Sequence, residues 1–152
     1  SRPAPGPAMN ASAGATEDPR RALLLAADPG LGAGETAYNL RCAHCHGYAG
    51  EGELPGSAAD TLALGMKVVP AHDSSGSTWM HPEQLLIRLI QEGAPNPLFR
   101  FQMAAYGEVM TVEEIRQVLD YMQLWWTDAQ REHYAALTAA RAGIEAQFGG
   151  GE

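Results

Sequence analysis

Only two cysteines occur in the 152 residues, Cys42 and Cys45. That excludes a disulfide framework and leaves a zinc site without the second cysteine pair it would want. No run of about 18 apolar residues is present, so no transmembrane helix is expected. Apolar residues still make up 45% of the chain, enough for a sizeable core. No secretory leader is recognisable at Ser1, and the expectation is that a leader or membrane anchor has been removed from in front of it. Positive charge is scarce: 10 Lys and Arg against 18 Asp and Glu give a formal net charge of −8. A surface of that sign argues against nucleic acid and anionic membranes as partners, and favours a protein with a basic docking patch. No strand–helix–strand pattern surrounds the cysteines, which removes the usual context of a thioredoxin-like dithiol.

What is present is compact and specific. The two cysteines stand in Cys42-Ala43-His44-Cys45-His46, and Cys-x-x-Cys-His is the attachment signature of a c-type haem. Thiols at that spacing add across the two vinyl groups of one porphyrin, and the adjacent His46 is placed to ligate the iron from one face. His72 and His81 stand at no common zinc-ligand spacing from the pair. With both thiols bound to a single covalent haem c, no disulfide remains. Maturation outside the cytoplasm is then expected, in the periplasm or an equivalent extracytoplasmic compartment.

Along the chain, residues 1–30 are expected to be a flexible tail or linker. The first 19 are rich in Pro, Ala, Gly and Ser. Such a segment either ties a domain to a membrane anchor or simply frays. Arg20 to Ala27 reads as a short helical lead-in broken by Asp28-Pro29-Gly30. Residues 31–127 form the expected domain. A helix from about Ala33 to Cys42 turns Ala37 and Tyr38 inward, and a glycine-rich passage follows to Gly56. Alternating Leu62, Leu64, Met66 and Val68 predict an extended segment over 61–70, either a short strand or a wall of the haem pocket. A helix follows Pro82, with Leu85, Leu86, Leu89 and Ile90 as its apolar stripe, Arg88 solvated and Gly93 as its stop. Residues 94–107 are expected to be a loop crossing the second face of the haem. Thr111 and Glu114 make a capping box for a helix whose stripe is Val112, Ile115, Val118, Leu119, Met122 and Trp125 or Trp126. Residues 128–152 are expected to be an appended, weakly amphipathic C-terminal helix lying along the body.

Three further site questions arise. A carbonyl near Pro55 is expected to accept the Nδ1–H of His46 and raise its basicity; otherwise Pro55 only shapes a turn. The indole N–H of Trp79 donates either to a haem propionate or within ordinary core packing. The sixth iron position has six candidate methionines. Met9 falls in the tail, Met122 on a helix stripe and Met66 in the extended segment. Met80 and Met110 adjoin helix starts, and Met103 sits in the loop expected to cross the second face. A thioether opposite histidine is a soft, neutral ligand that raises the reduction potential.

Cys42-Ala43-His44-Cys45-His46-Gly47, Met103-Ala104-Ala105-Tyr106-Gly107 and Thr111-Val112-Glu113-Glu114-Ile115 through Tyr121 together resemble a class I mono-haem cytochrome c. In that family the sixth-ligand methionine is usually followed by proline, alanine, an aromatic residue and glycine. Ala104 replaces the proline here, and Met110 stands where leucine is common. The resemblance covers about residues 33 to 126. It implies an all-α fold around one covalent haem c, with the helix before Cys42 crossing the helix after Thr111. It also implies Met103 as the sixth ligand, Tyr106 beside the haem, and electron transfer as the activity.

The expected function is therefore one-electron transfer between redox proteins, without catalysis. Two rivals stay open: an electron-transfer subunit fixed in a larger oxidoreductase complex, and a haem enzyme or gas sensor with a labile sixth ligand. The second would want a distal His beside an Arg, and His72, His81, Arg88 and Arg100 show no supporting spacing.

Overall fold

The computed structural model describes residues 19–94 and 103–149. Met9 and the rest of the first 18 residues lie outside the described residues. So do Pro95, Asn96, Pro97 and Arg100 of the expected crossing loop. The described chain is all-α: α1 Pro19–Ala27, α2 Pro29–Arg41, α3 Ala43–His46, α4 Pro55–Ala63, α5 Glu83–Glu92, α6 Val112–Met122 and α7 Asp128–Phe148, with short 3₁₀ turns at Thr78–Met80 and Gln123–Trp125. Ala94 and Met103 form an isolated antiparallel bridge.

Asp28 interrupts the chain as expected, but it also starts the next helix. Its carboxylate accepts from the Gly30 amide at 2.8 Å, and Pro29 occupies the first helical turn. An aspartate cap followed by proline is a start signal. Hence α2 begins at Pro29 rather than Ala33, and Glu35 lies beyond its first turn. Within the span read from sequence as tail, residues 19–27 form α1, the helical lead-in expected there, and it is attached to the body. Arg21 of α1 is buried, bonds the Tyr121 hydroxyl, lies 5.0 Å over the Tyr121 ring and pairs with Glu35 at 3.6 Å.

The core forms where α2 crosses α6. A Cβ on Gly34 would meet the Gln117 carbonyl oxygen at 2.1 Å, so the two backbones touch there. One turn later Tyr38 is fully buried, its ring 5.6 Å from Tyr121 and 5.1 Å from Trp125. The apolar stripe of α6 is inward at Ile115, Val118, Leu119 and Met122, and the Thr111–Glu114 capping box is formed.

The extended segment expected over 61–70 is corrected over 61–63: residues 55–63 are helical, opened by Pro55 in the first turn, while Val69 and Pro70 line the cavity. Leu62 and Leu64, which suggested alternation, are exposed, and Thr61 is the buried residue. Helix formation is local here, and the apparent period of two came from residues past the helix end. In α5 the buried set is Leu86, Ile87 and Ile90; Leu85 and Leu89 of the expected stripe are exposed. Helix α7 lies along the body with Ile144 and Phe148 exposed, yet Tyr134 enters the core against Trp126, rings 5.1 Å apart. Its Thr138 hydroxyl accepts from the Glu83 amide at 3.0 Å and so caps α5.

Replacing Gly34 with Val is expected to cost about 3 kcal/mol or more, because no rotamer relieves a backbone overlap. Denaturant unfolding checks this, and an unchanged midpoint would mean that α2 and α6 do not meet at this point.

Candidate functional site

Helix α2 delivers the cysteine motif. Cys42 closes it, its amide N–H donating to the Tyr38 carbonyl at 2.8 Å, and at once begins the single turn α3. The His46 amide returns to the Cys42 carbonyl at 2.9 Å, so Cys42, Cys45 and His46 face one cavity. Gly47 ends the turn at φ +87°, with its carbonyl accepting from the Tyr38 hydroxyl at 2.8 Å. Leu86, Leu89 and Ile90 of α5 supply an apolar wall, and Met103 lies on the same cavity.

His46 is buried, and its Nδ1–H donates to the Pro70 carbonyl at 2.9 Å. Burial holds its imidazole below the ordinary histidine range, against the opposing effect of the Pro70 carbonyl. The ring is therefore neutral at pH 7 with Nε2 free, the form a metal requires. The carbonyl that holds His46 belongs to Pro70, not to the vicinity of Pro55, which is exposed and opens α4.

Trp79 is not among the residues lining the cavity. Its indole N–H donates to the Gly76 carbonyl at 2.9 Å and its ring meets His133, so the packing alternative describes it and its donor is already used. Tyr106 does line the cavity, and its hydroxyl donates to the Arg41 carbonyl at 3.0 Å, tying the Met103 loop to the end of α2.

Met103 is half-buried and placed by backbone contacts. The Ala94 amide donates to the Met103 carbonyl at 3.0 Å, and Gly93 turns there at φ +73°. A Cβ on Gly93 would meet the Met103 oxygen at 2.6 Å, so only glycine permits the approach. Of the other methionines, Met66, Met80 and Met110 do not line the cavity, while Met122 does so from within the α6 stripe.

Two residues went unassigned in the sequence reading. Pro70 gave no signal beyond its ring. His72 was weighed only as a zinc or peroxidase residue. It lines the cavity with its ring 4.0 Å from that of His46, and its Nδ1 bonds the Thr78 hydroxyl at 2.7 Å.

The donor set fits a covalent haem: two unpaired thiols, a neutral imidazole with one nitrogen free, a thioether and apolar walls. Burial pushes the Cys42 thiol up to about 11, away from the thiolate that a reactive cysteine needs. Among the described residues no group of three or more His, Cys, Asp or Glu is arranged to hold a metal ion.

The protein-family model for cytochrome c matches residues 31–144, well over half of the chain. The chain therefore belongs to the cytochrome c family: it is a c-type cytochrome, an all-α domain that binds haem c covalently and serves haem-based electron transfer. The match runs through most of α7, which the sequence resemblance had left outside. No curated protein and no solved structure matches the chain.

Replacing Cys45 with Ala is expected to leave at most one thioether bond and to lower the yield of haem-loaded protein several-fold. Mass spectrometry and the reduced visible spectrum check this. Haem still attached through two bonds would exclude Cys45 as an attachment point.

Proposed function

We propose that this cytochrome is a one-electron carrier with His46 and Met103 as its axial ligands, working outside the cytoplasm between redox proteins. The supporting observation is that Met103 shares the cavity of His46 while lying on a loop far along the chain, so two segments can close on a flat cofactor from opposite sides. The bound haem supplies an iron that alternates between ferrous and ferric states. The residues supply the rest. His46 is held by Pro70, Met103 by Gly93 and Ala94, and Leu86 and Ile90 keep water from the ligands.

The same ligation leaves no open position for substrate or dioxygen, which favours a carrier over a haem enzyme. The residues that a peroxidase would recruit are dispersed. His81 is exposed and off the cavity, Arg88 pairs with Glu92 at 3.1 Å, and His72 lies against His46 itself. Arg100 lies outside the described residues. The net charge of −8 suits partners with a basic patch, whose affinity should fall as salt rises. None of the described helices is long and apolar enough to cross a membrane. A tether through an upstream segment remains part of the proposal.

Oxidised protein is expected to show the weak absorbance band of Met–iron coordination. Met103→Ala should abolish the band, lower the potential by ~0.1 V or more within the ~0.8 V range that axial ligation commands, and admit cyanide or carbon monoxide. Met122→Leu should leave the band in place. A Met103→Ala protein with unchanged band and potential would refute the ligand assignment.

A further inference from the structure

The Pro70 carbonyl that meets His46 belongs to a segment with no regular structure, yet its neighbours are fixed on both sides. Gly50 accepts from the His72 amide at 2.7 Å and the Asp73 amide at 3.1 Å. Gly52, at φ +74°, lies so close that a Cβ would meet the Ala71 nitrogen at 2.7 Å. Glu53 then takes both backbone groups of Val69: its amide donates to the Val69 carbonyl at 3.0 Å, and its Oε2 accepts from the Val69 amide at 3.1 Å.

The other carboxylate oxygen of Glu53 is anchored in turn. Oε1 accepts from the Ser57 hydroxyl at 2.8 Å and the Thr61 hydroxyl at 2.6 Å, both on α4, and Thr61 is completely buried. Three donors thus converge on one side chain; the Val69 amide needs an oxygen there, whereas the two hydroxyls can donate or accept. The Val69 peptide precedes a proline whose φ is locked near about −65°. Fixing that peptide therefore leaves ψ of Pro70 as the remaining freedom, and the Gly52–Ala71 contact restricts it.

We propose that Glu53 is a positioning residue for the iron ligand. By fixing Val69 it aims the Pro70 carbonyl at the Nδ1–H of His46. The strength of that bond sets how strongly Nε2 donates to the iron, and so where the potential lies. The role rests on the reading of His46 as axial ligand.

The test uses the haem-loaded protein and its Glu53→Ala and Glu53→Gln variants, with two readouts: the reduction potential, and solvent exchange of the His46 Nδ1 proton by NMR in the reduced state. In Glu53→Ala the potential should rise, because a weaker bond at Nδ1 makes the imidazole a poorer donor to ferric iron. Exchange should be about tenfold faster, the equivalent of one net hydrogen bond. Glu53→Gln keeps an acceptor for the Val69 amide and should recover most of both values. Unchanged values in Glu53→Ala, or changes that Glu53→Gln does not reduce, overturn the role. If Glu53→Ala fails to take up haem, Thr61→Val removes one anchor of the carboxylate and should move both readouts the same way by less; no movement there overturns it equally. Wild-type protein without haem on Cys42 and Cys45, or without His46 on the iron, sinks the carrier reading itself. A normal wild type with silent variants sinks only Glu53.

Discussion

Helices α2 and α6 meet at Gly34 and Gln117 with no side chain between them, and the placement of the attachment turn follows from that contact. Once the backbones are that close, Tyr38 has no place but the space between Tyr121 and Trp125. Its hydroxyl then reaches the Gly47 carbonyl and ties the end of the attachment turn to the core. Helix α2 must therefore end with Cys42 at the mouth of the cavity, while α6 brings Leu119 and Met122 to the same cavity. Each large apolar side chain buried on α6 contributes about 1.5–3 kcal/mol. The attachment turn itself, four residues long, has no such resource. Its geometry is borrowed from the crossing.

The opposite wall is irregular, and polar contacts hold it. The segment from Pro70 to Thr78 carries the carbonyl for His46 and the His72 ring, but it has no ladder of its own before the 3₁₀ turn at Thr78–Met80. Trp126 donates its indole N–H to the His72 carbonyl at 2.8 Å, and Gln130 donates to the Ser74 carbonyl at 3.0 Å. Trp126 ends the 3₁₀ turn just before α7 and Gln130 lies in the first turn of α7, where the Thr127–Gln130 capping box fixes the helix entry. The C-terminal helix that looked like an appendage from its weak amphipathic pattern thus braces the loop on the His46 side. It also caps α5 through Thr138.

The parts legible in the sequence were those with a local physical cause. Cys-x-x-Cys-His fixes its own chemistry, the Thr111 box fixes its own helix start, and Gly93 marks its own stop. The misreadings came where a distant partner decides. Pro55 opens α4 and Pro70 lies in irregular chain, and only the pairing of Gly50–Glu53 with 69–73 selects Pro70 for His46. Trp79 was offered a propionate because an indole N–H needs an acceptor, but the Gly76 carbonyl three residues earlier was enough. Leu62 and Leu64 mimicked a strand because a helix end and the chain past it happened to alternate. Arg21 gave no sign of burial, since nothing local announces a guanidinium that will lie over Tyr121 and Trp125.

His72 adds a constraint on how charge can move near the proposed iron ligand. Burial holds its imidazole well below the ordinary histidine range, and the neighbouring His46 ring pushes in the same direction. It is therefore neutral beside His46, with Nδ1 engaged by Thr78. A neutral ring in that place adds polarity without adding a charge that the iron would have to work against on oxidation. A lysine or a protonated histidine there would raise the cost of the ferric state through direct Coulomb repulsion in a poorly solvated pocket. In the carrier reading, the side of the pocket around His46 is thus built from dipoles already set in place: the Pro70 carbonyl, the His72 ring and the backbone pairs around them. Fixed dipoles need little rearrangement when one electron arrives or leaves. That is the property a carrier requires, and in this chain it depends on the short pairing between residues 50–53 and 69–73 as much as on the ligand itself.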